Sequence, residues 1–141
     1  MNVEVNYLAL LIAGIASMAL GFLWYSPVLF AKPWMKLMGY TPESLKKAQK
    51  EMGKLYGVSF LLTLISGYVL AHVMAMSMSF FNYPALSTGI ISAFWMWLGF
   101  VMPVQASDMI FGSKKWKLFA INTGYQLASL LVMGVILALV R

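Results

Sequence analysis

Between Leu55 and Ser107 the chain contains no Asp, Glu, Lys or Arg. A run this long and apolar constrains the fold more than any other feature. A helix that crosses hydrocarbon needs about 20 apolar residues, so the run holds two. Asn82-Tyr83-Pro84, within residues 77–86, supplies the turn signal between them. Val5 to Ala31 and Leu118 to Val140 are equally free of charge. The expected helices lie at about 5–27, 55–77, 86–107 and 118–140. Barrel strands would alternate apolar and polar residues, and these segments do not. Helices are the remaining way to satisfy backbone groups in hydrocarbon. The fold class is therefore all-α, an integral membrane four-helix bundle forming a single membrane domain over 1–141.

Composition agrees. Of 141 residues, 62% are hydrophobic and 10% charged, whereas soluble domains average roughly 45–50% and about 25%. A net charge of +6 raises the question of nucleic acid. The placement of the lysines answers it: they sit in two connectors between apolar runs, and the partner they imply is the lipid bilayer. Cysteine is absent, which excludes disulfides, thiol catalysis and cysteine-ligated metals. With a single histidine, His72, neither a metal site nor a cofactor is expected. The first apolar run follows Glu4 rather than a basic segment and is too long for a signal-peptide core, so it is expected to persist as an anchor.

Lysine placement predicts topology. Lys32, Lys36, Lys46, Lys47, Lys50 and Lys54 lie in the first connector, and Lys114, Lys115 and Lys117 in the third. The second connector is uncharged. The positive-inside rule puts connectors 28–54 and 108–117 in the cytoplasm and both termini outside, with Arg141 the basic residue on that side. Thr41-Pro42-Glu43 reads as N-cap, first-turn proline and an acid near the positive end of a helix dipole. A short amphipathic helix over about 42–54 is expected to feed the second span, with Glu43 and Lys47 able to pair. Lys46, Lys47, Lys50, Lys54, Lys114 and Lys115 then either only set orientation or also bind anionic headgroups.

Small residues recur every fourth position in each helix: Ala9, Ala13, Ser17 and Gly21; Ser59, Thr63, Gly67, Ala71 and Ala75; Ala85, Gly89 and Ala93; Ala120, Gly124 and Ala128. Such stripes let helix backbones approach closely in lipid, where apolar burial does not drive association. They predict a tight bundle within one chain, and the same stripes are compatible with a homodimer. Leu20-Gly21-Phe22 and Leu98-Gly99-Phe100 suggest a parallel internal repeat. Trp24, Tyr25, Trp34 and Trp116 are expected in an aromatic belt at the cytoplasmic boundary, and Tyr7 and Tyr83 at the outer one. Trp95 and Trp97 lie deeper, either lining a cavity or packing on a neighbouring helix.

Two segments carry a family resemblance. The first is Gly21-Phe22-Leu23-Trp24-Tyr25-Ser26-Pro27, followed by Leu29-Phe30 and Trp34. The second is Trp97-Leu98-Gly99-Phe100, followed by Phe111, Lys117-Leu118 and Asn122-Thr123-Gly124-Tyr125-Gln126. Together they resemble a family of short bacterial membrane proteins known as a domain of unknown function, number seventeen sixty-one in its series. The resemblance spans nearly the whole chain and implies four helices and bacterial origin, without an activity. It also implies a glutamate after the phenylalanine of the last turn, where this chain has Gly112.

The candidate site is polar. Asp108 ends the third helix, with Gln105 one turn earlier. Asn122 and Gln126 are four apart on the fourth helix and share a face. The short turn between makes the helices antiparallel neighbours, so the four side chains are expected to meet in the inner leaflet. Intramembrane ionisable groups are functional candidates. The structural alternative is interhelical hydrogen bonding by the amides, with Asp108 paired to Lys114 or Lys115. No nucleophile elbow or phosphate loop occurs. Three functions stand open. The leading one is a non-enzymatic structural or interaction protein. The second is a small-solute or ion transporter using the polar site. The third is a membrane enzyme acting on lipid or quinone, for which Asp108 and His72 lie on opposite sides.

Overall fold

A computed structural model of the protein describes residues 3–140; Arg141, the outer basic residue of the topology argument, lies outside them. Among the described residues the regular elements are all helical: α1 (Tyr7–Trp24), α2 (Ala31–Met38), α3 (Pro42–Gln49), α4 (Met52–Phe81), α5 (Ala85–Met96), α6 (Met102–Asp108) and α7 (Trp116–Leu139). Two π-helical turns, Trp97–Val101 and Met109–Ser113, join α5 and α6 and extend α6, making one long helix over Ala85–Ser113. Four helices are long and apolar enough to cross a membrane: α1, α4, Ala85–Ser113 and α7.

Several boundaries differ from the expected ones, each for a local reason. Asn6 caps α1 by accepting from the Ala9 N–H, and the helix stops at Trp24, ahead of Pro27. The expected helix over 42–54 is broken at Lys50 and Glu51, whose N–H groups bond back three residues, to Lys47 and Ala48. The Thr41 cap forms as a reciprocal pair with Ser44, without Glu43. No ion pair joins Glu43 to Lys47. The second long helix starts at Met52 and runs to Phe81, where Asn82 closes it at φ 56°. The third does not end at residue 107. Pro103 lacks an N–H, and the π turn before it absorbs the defect, with the Met102 N–H reaching the Trp97 carbonyl. The helix ends only at Lys114, also at φ 56°. α2 was not anticipated from the sequence; it ends on Gly39 at φ 73°, a conformation that favours glycine.

Short turns at 82–84 and 114–115 make the second and third, and the third and fourth, long helices antiparallel, whereas α2 and α3 fill the connector between the first two. α7 packs on α5 and α1, and α4 packs on the same two from the other side. α7 is the most enclosed of the four and α4 the least. The Asn6 side-chain amide donates to the Val140 carbonyl (3.4 Å), so both described ends meet at the pole remote from the lysines.

The apolar core occupies that remote half: Ala9, Leu10, Ala13, Leu70, Met74, Ala93, Leu130, Met133, Leu137 and Ala138. The α1 stripe is buried through Ala9, Ala13 and Ser17, and the α5 stripe through Gly89 and Ala93. On α7 the buried small residues include Ser129, Gly134 and Ala138 and none of the Ala120–Gly124–Ala128 stripe. Gly21 abuts the Tyr125 ring, whereas a Cβ on Gly99 would meet nothing within 4 Å. The two halves of the suggested repeat therefore occupy different environments.

Candidate functional site

The lysine-bearing half of the bundle is held by aromatic and polar side chains that converge on α7. The Trp24 indole N–H donates to the Ile121 carbonyl (3.0 Å). The Trp97 indole N–H donates to the Thr123 carbonyl (2.9 Å). One indole comes from α1 and the other from the π turn after α5, and both reach the same turn of α7. Gly124 lies against Trp24: a Cβ there would stand 3.3 Å from the indole Cζ2. The Tyr25 hydroxyl donates to Asn122 Oδ1 (2.9 Å). Ser17 and Ser129, both buried, share a hydrogen bond between α1 and α7.

These contacts revise the expected belt. Trp24, Tyr25 and Trp34 are packed together with Tyr40 and Tyr125 as a ring cluster. Trp116, Tyr7 and Tyr83 are exposed, at 66%, 69% and 55%. Trp97 packs on the neighbouring helix, while Trp95 faces outward. Spacing along a helix gives a residue's depth; the turn of the chain beyond Trp24 decides which way the ring faces.

Two cavities open in this half. The smaller, about 370 Å³, is lined by Gln105, Asp108, Met109, Ser113, Leu118, Phe119 and Asn122. Three of the four expected site residues therefore meet. Gln105 Oε1 is buried without a hydrogen-bond partner. Asp108 is exposed and, among the described residues, makes no ion pair with Lys114 or Lys115. Lys115 instead donates through Nζ to the Leu37 carbonyl, tying the last turn to α2. The reason is geometric: the π turn carries the helix past Asp108 before the chain reverses, so the lysines leave in another direction.

Gln126 does not join that group. It lines the larger cavity, about 410 Å³, with residues of α1, α4 and α7 and with Val101. Tyr25 belongs to this lining and reaches Asn122 of the other, so it stands between the two. Ser59, Thr63 and Ser66 contribute the α4 wall. Sequence reading took Ser59 and Thr63 as packing residues. The signal that could have separated them is Ser66, which continues their face one turn on while Gly67 turns inward to Leu10 and Met133.

The lysines expected at headgroups, Lys46, Lys47, Lys50, Lys54, Lys114 and Lys115, are all exposed at one end of the bundle. His72 lies in α4, with its Nδ1 2.9 Å from the Tyr68 carbonyl one turn back. Among the described residues, no three His, Asp or Glu side chains gather as a metal site would need.

The family model described as "Protein of unknown function (DUF1761)" matches residues 8–138. No curated protein and no solved structure matches the chain. Parts of the two segments that carry the resemblance, Gly21–Pro27 and Asn122–Gln126, meet across α1 and α7.

Proposed function

The chain belongs to this family of proteins of unknown function (DUF1761), and from its geometry we propose that it is a non-enzymatic, multi-pass protein of the inner membrane acting as a structural or interaction module. The lysine-bearing connectors face the cytoplasm and anionic lipid headgroups, and both termini face outward. One observation carries this reading: the polar groups of the α1–α7 interface bond to one another. Ser17 meets Ser129, Tyr25 meets Asn122, and Trp24 meets the Ile121 carbonyl. Groups held in this way join helices, at about 1 kcal/mol each in lipid, and are not free for chemistry. Complementation of a deletion strain tests it. Asp108→Asn and His72→Ala, at normal abundance, are expected to complement fully, and Gly89→Leu to fail through misfolding. Loss of complementation by either of the first two contradicts the reading.

A second reading has its own support in the smaller cavity. Gln105 Oε1 is a buried acceptor without a donor, beside Asp108 and Asn122. A solute bearing N–H groups would satisfy it, which is the chemistry of a small-solute or cation site between the third and fourth long helices. Solute flux in proteoliposomes that depends on both Gln105 and Asp108 favours this reading; flux unchanged by Gln105→Leu and Asp108→Asn removes it.

A further inference from the structure

The larger cavity differs from the smaller in chemistry. At about 410 Å³ it falls within the roughly 300–1,000 Å³ typical of small-molecule sites. No Asp, Glu, Lys, Arg or His side chain lines it. A charged ligand there would have no counter-charge, a costly arrangement away from water. Two of the α4 hydroxyl protons are already committed: Thr63 Oγ1 donates to the Ser59 carbonyl (2.9 Å) and Ser66 Oγ to the Leu62 carbonyl (3.1 Å). Both hydroxyls therefore offer lone pairs to a ligand. Across from them, the Gln126 amide makes no hydrogen bond among the described residues, and its N–H groups are available as donors. The rest of the lining mixes Tyr25, Tyr56, Tyr125, Ser59 and Ser129 with apolar and thioether side chains, of which Leu130 and Met133 belong to the apolar core.

The cavity is also reachable from the side. α4 packs on α5 but has no comparable contact with the π turn after α5 or with α6. Val101 alone represents the third long helix in the lining. On the other flank, Phe22 and Tyr56 close α1 against α4 edge to face, 5.0 Å apart.

We propose that the cavity between α1, α4 and α7 binds an uncharged lipid alcohol that enters between α4 and the second half of the third long helix. Its hydroxyl donates to Thr63 or Ser66 and accepts from Gln126, and its chain lies along Leu130 and Met133. This goes beyond the structural reading above and does not need it: ligand occupancy and complementation are separate measurements.

The test uses the full chain in phosphatidylcholine nanodiscs. One probe is a monoacylglycerol with a diazirine in its acyl chain; the other is the fatty acid of the same chain, which presents a carboxylate. The expected result is monoacylglycerol adducts on the peptides carrying residues 56–66 and 125–133, displaced by excess unlabelled monoacylglycerol, with the fatty acid much weaker there. Gln126→Leu is expected to lower the cavity adducts roughly fivefold to tenfold, the scale of one lost hydrogen bond to a desolvated group. Ser66→Phe, which fills the cavity, is expected to do the same, and Asp108→Asn to change nothing. Folding of each variant is read from its thermal transition and elution profile, and either folded variant suffices. Adducts spread over outward residues such as Phe100 and Phe111 without excess at the cavity overturn the proposal. So does equal labelling by the fatty acid, or a folded Gln126→Leu or Ser66→Phe variant that labels like the unaltered protein.

Discussion

Gly89 of α5 and Gly134 of α7 meet backbone to backbone. A Cβ on Gly134 would lie 2.5 Å from the Gly89 carbonyl oxygen, and one on Gly89 would press equally into the Gly134 carbonyl. The contact is reciprocal, so the two longest-packed helices of the bundle are set at a distance that only paired glycines permit. The surrounding half holds the apolar core; the other half holds the indole and tyrosine bonds and both cavities.

Gly89→Ala is expected to destabilise the protein by about 1–3 kcal/mol, the usual cost of an extra methyl in a packed site, because its obstacle is backbone that cannot swing aside. Gly67→Ala faces the flexible side chains of Leu10, 2.8 Å away, and Met133, 3.4 Å away, and is expected to cost less. Gly99→Ala faces nothing within 4 Å and is expected to be neutral or to stabilise by roughly 0.5–1 kcal/mol, as helical Gly→Ala changes do in open positions. Unfolding in detergent micelles, followed by circular dichroism, orders the three. Equal effects would show that the Gly89–Gly134 approach is not a constraint.

Trp24→Phe and Trp97→Phe each remove one indole N–H bond to α7 while keeping most of the ring. Each is expected to cost about 1 kcal/mol. Because the two indoles reach different carbonyls from different helices, the double variant is expected to be additive within roughly 0.5 kcal/mol. A Trp24→Ala change is expected to cost about 3–5 kcal/mol, since it empties the space over Gly124 as well. Indoles that only anchored the chain at a lipid boundary would show no such difference between Phe and Ala.

These contacts mark how much was legible in sequence. The four long helices follow from charge-free length, and the turn at Asn82-Tyr83-Pro84 from its residue types. Gln105, Asp108 and Asn122 could be brought together because a short turn forces antiparallel neighbours. Gln126 was expected with them and lines the other cavity instead. Four residues on a helix is slightly more than a full turn, and here the offset is enough to move it from one cavity to the other. α2 was missed because Lys32, Pro33 and Lys36 interrupt any apolar period; its Trp34 meets Tyr25 edge to face and stacks on Tyr40. The passage of the third helix through Pro103 depends on a π turn, for which the residues carry no local sign.

Gln105→Leu separates the two readings of the smaller cavity by stability. It removes a buried acceptor that lacks a donor, a group whose desolvation costs about 1–3 kcal/mol when unpaired. A gain on the order of 1 kcal/mol is expected in ligand-free micelles. Asp108→Asn, at an exposed position without an ion pair, is expected to stay within about 0.5 kcal/mol of the unaltered protein. A marked loss in either would show that a partner occupies the cavity throughout.

The orientation of the bundle is the central claim of the proposed topology, since it decides which headgroups the lysines would meet, and the absence of cysteine makes it directly measurable. Single cysteines are placed at Gly53 and Gly112, at the lysine-bearing end where a Cβ meets nothing within 4 Å, and at Tyr83, exposed in the opposite turn. They are then exposed to a membrane-impermeant maleimide in spheroplasts. The account predicts labelling of Tyr83→Cys in intact spheroplasts, and of Gly53→Cys and Gly112→Cys only after permeabilisation. Labelling of Gly53→Cys or Gly112→Cys in intact spheroplasts, or protection of Tyr83→Cys until permeabilisation, would contradict it.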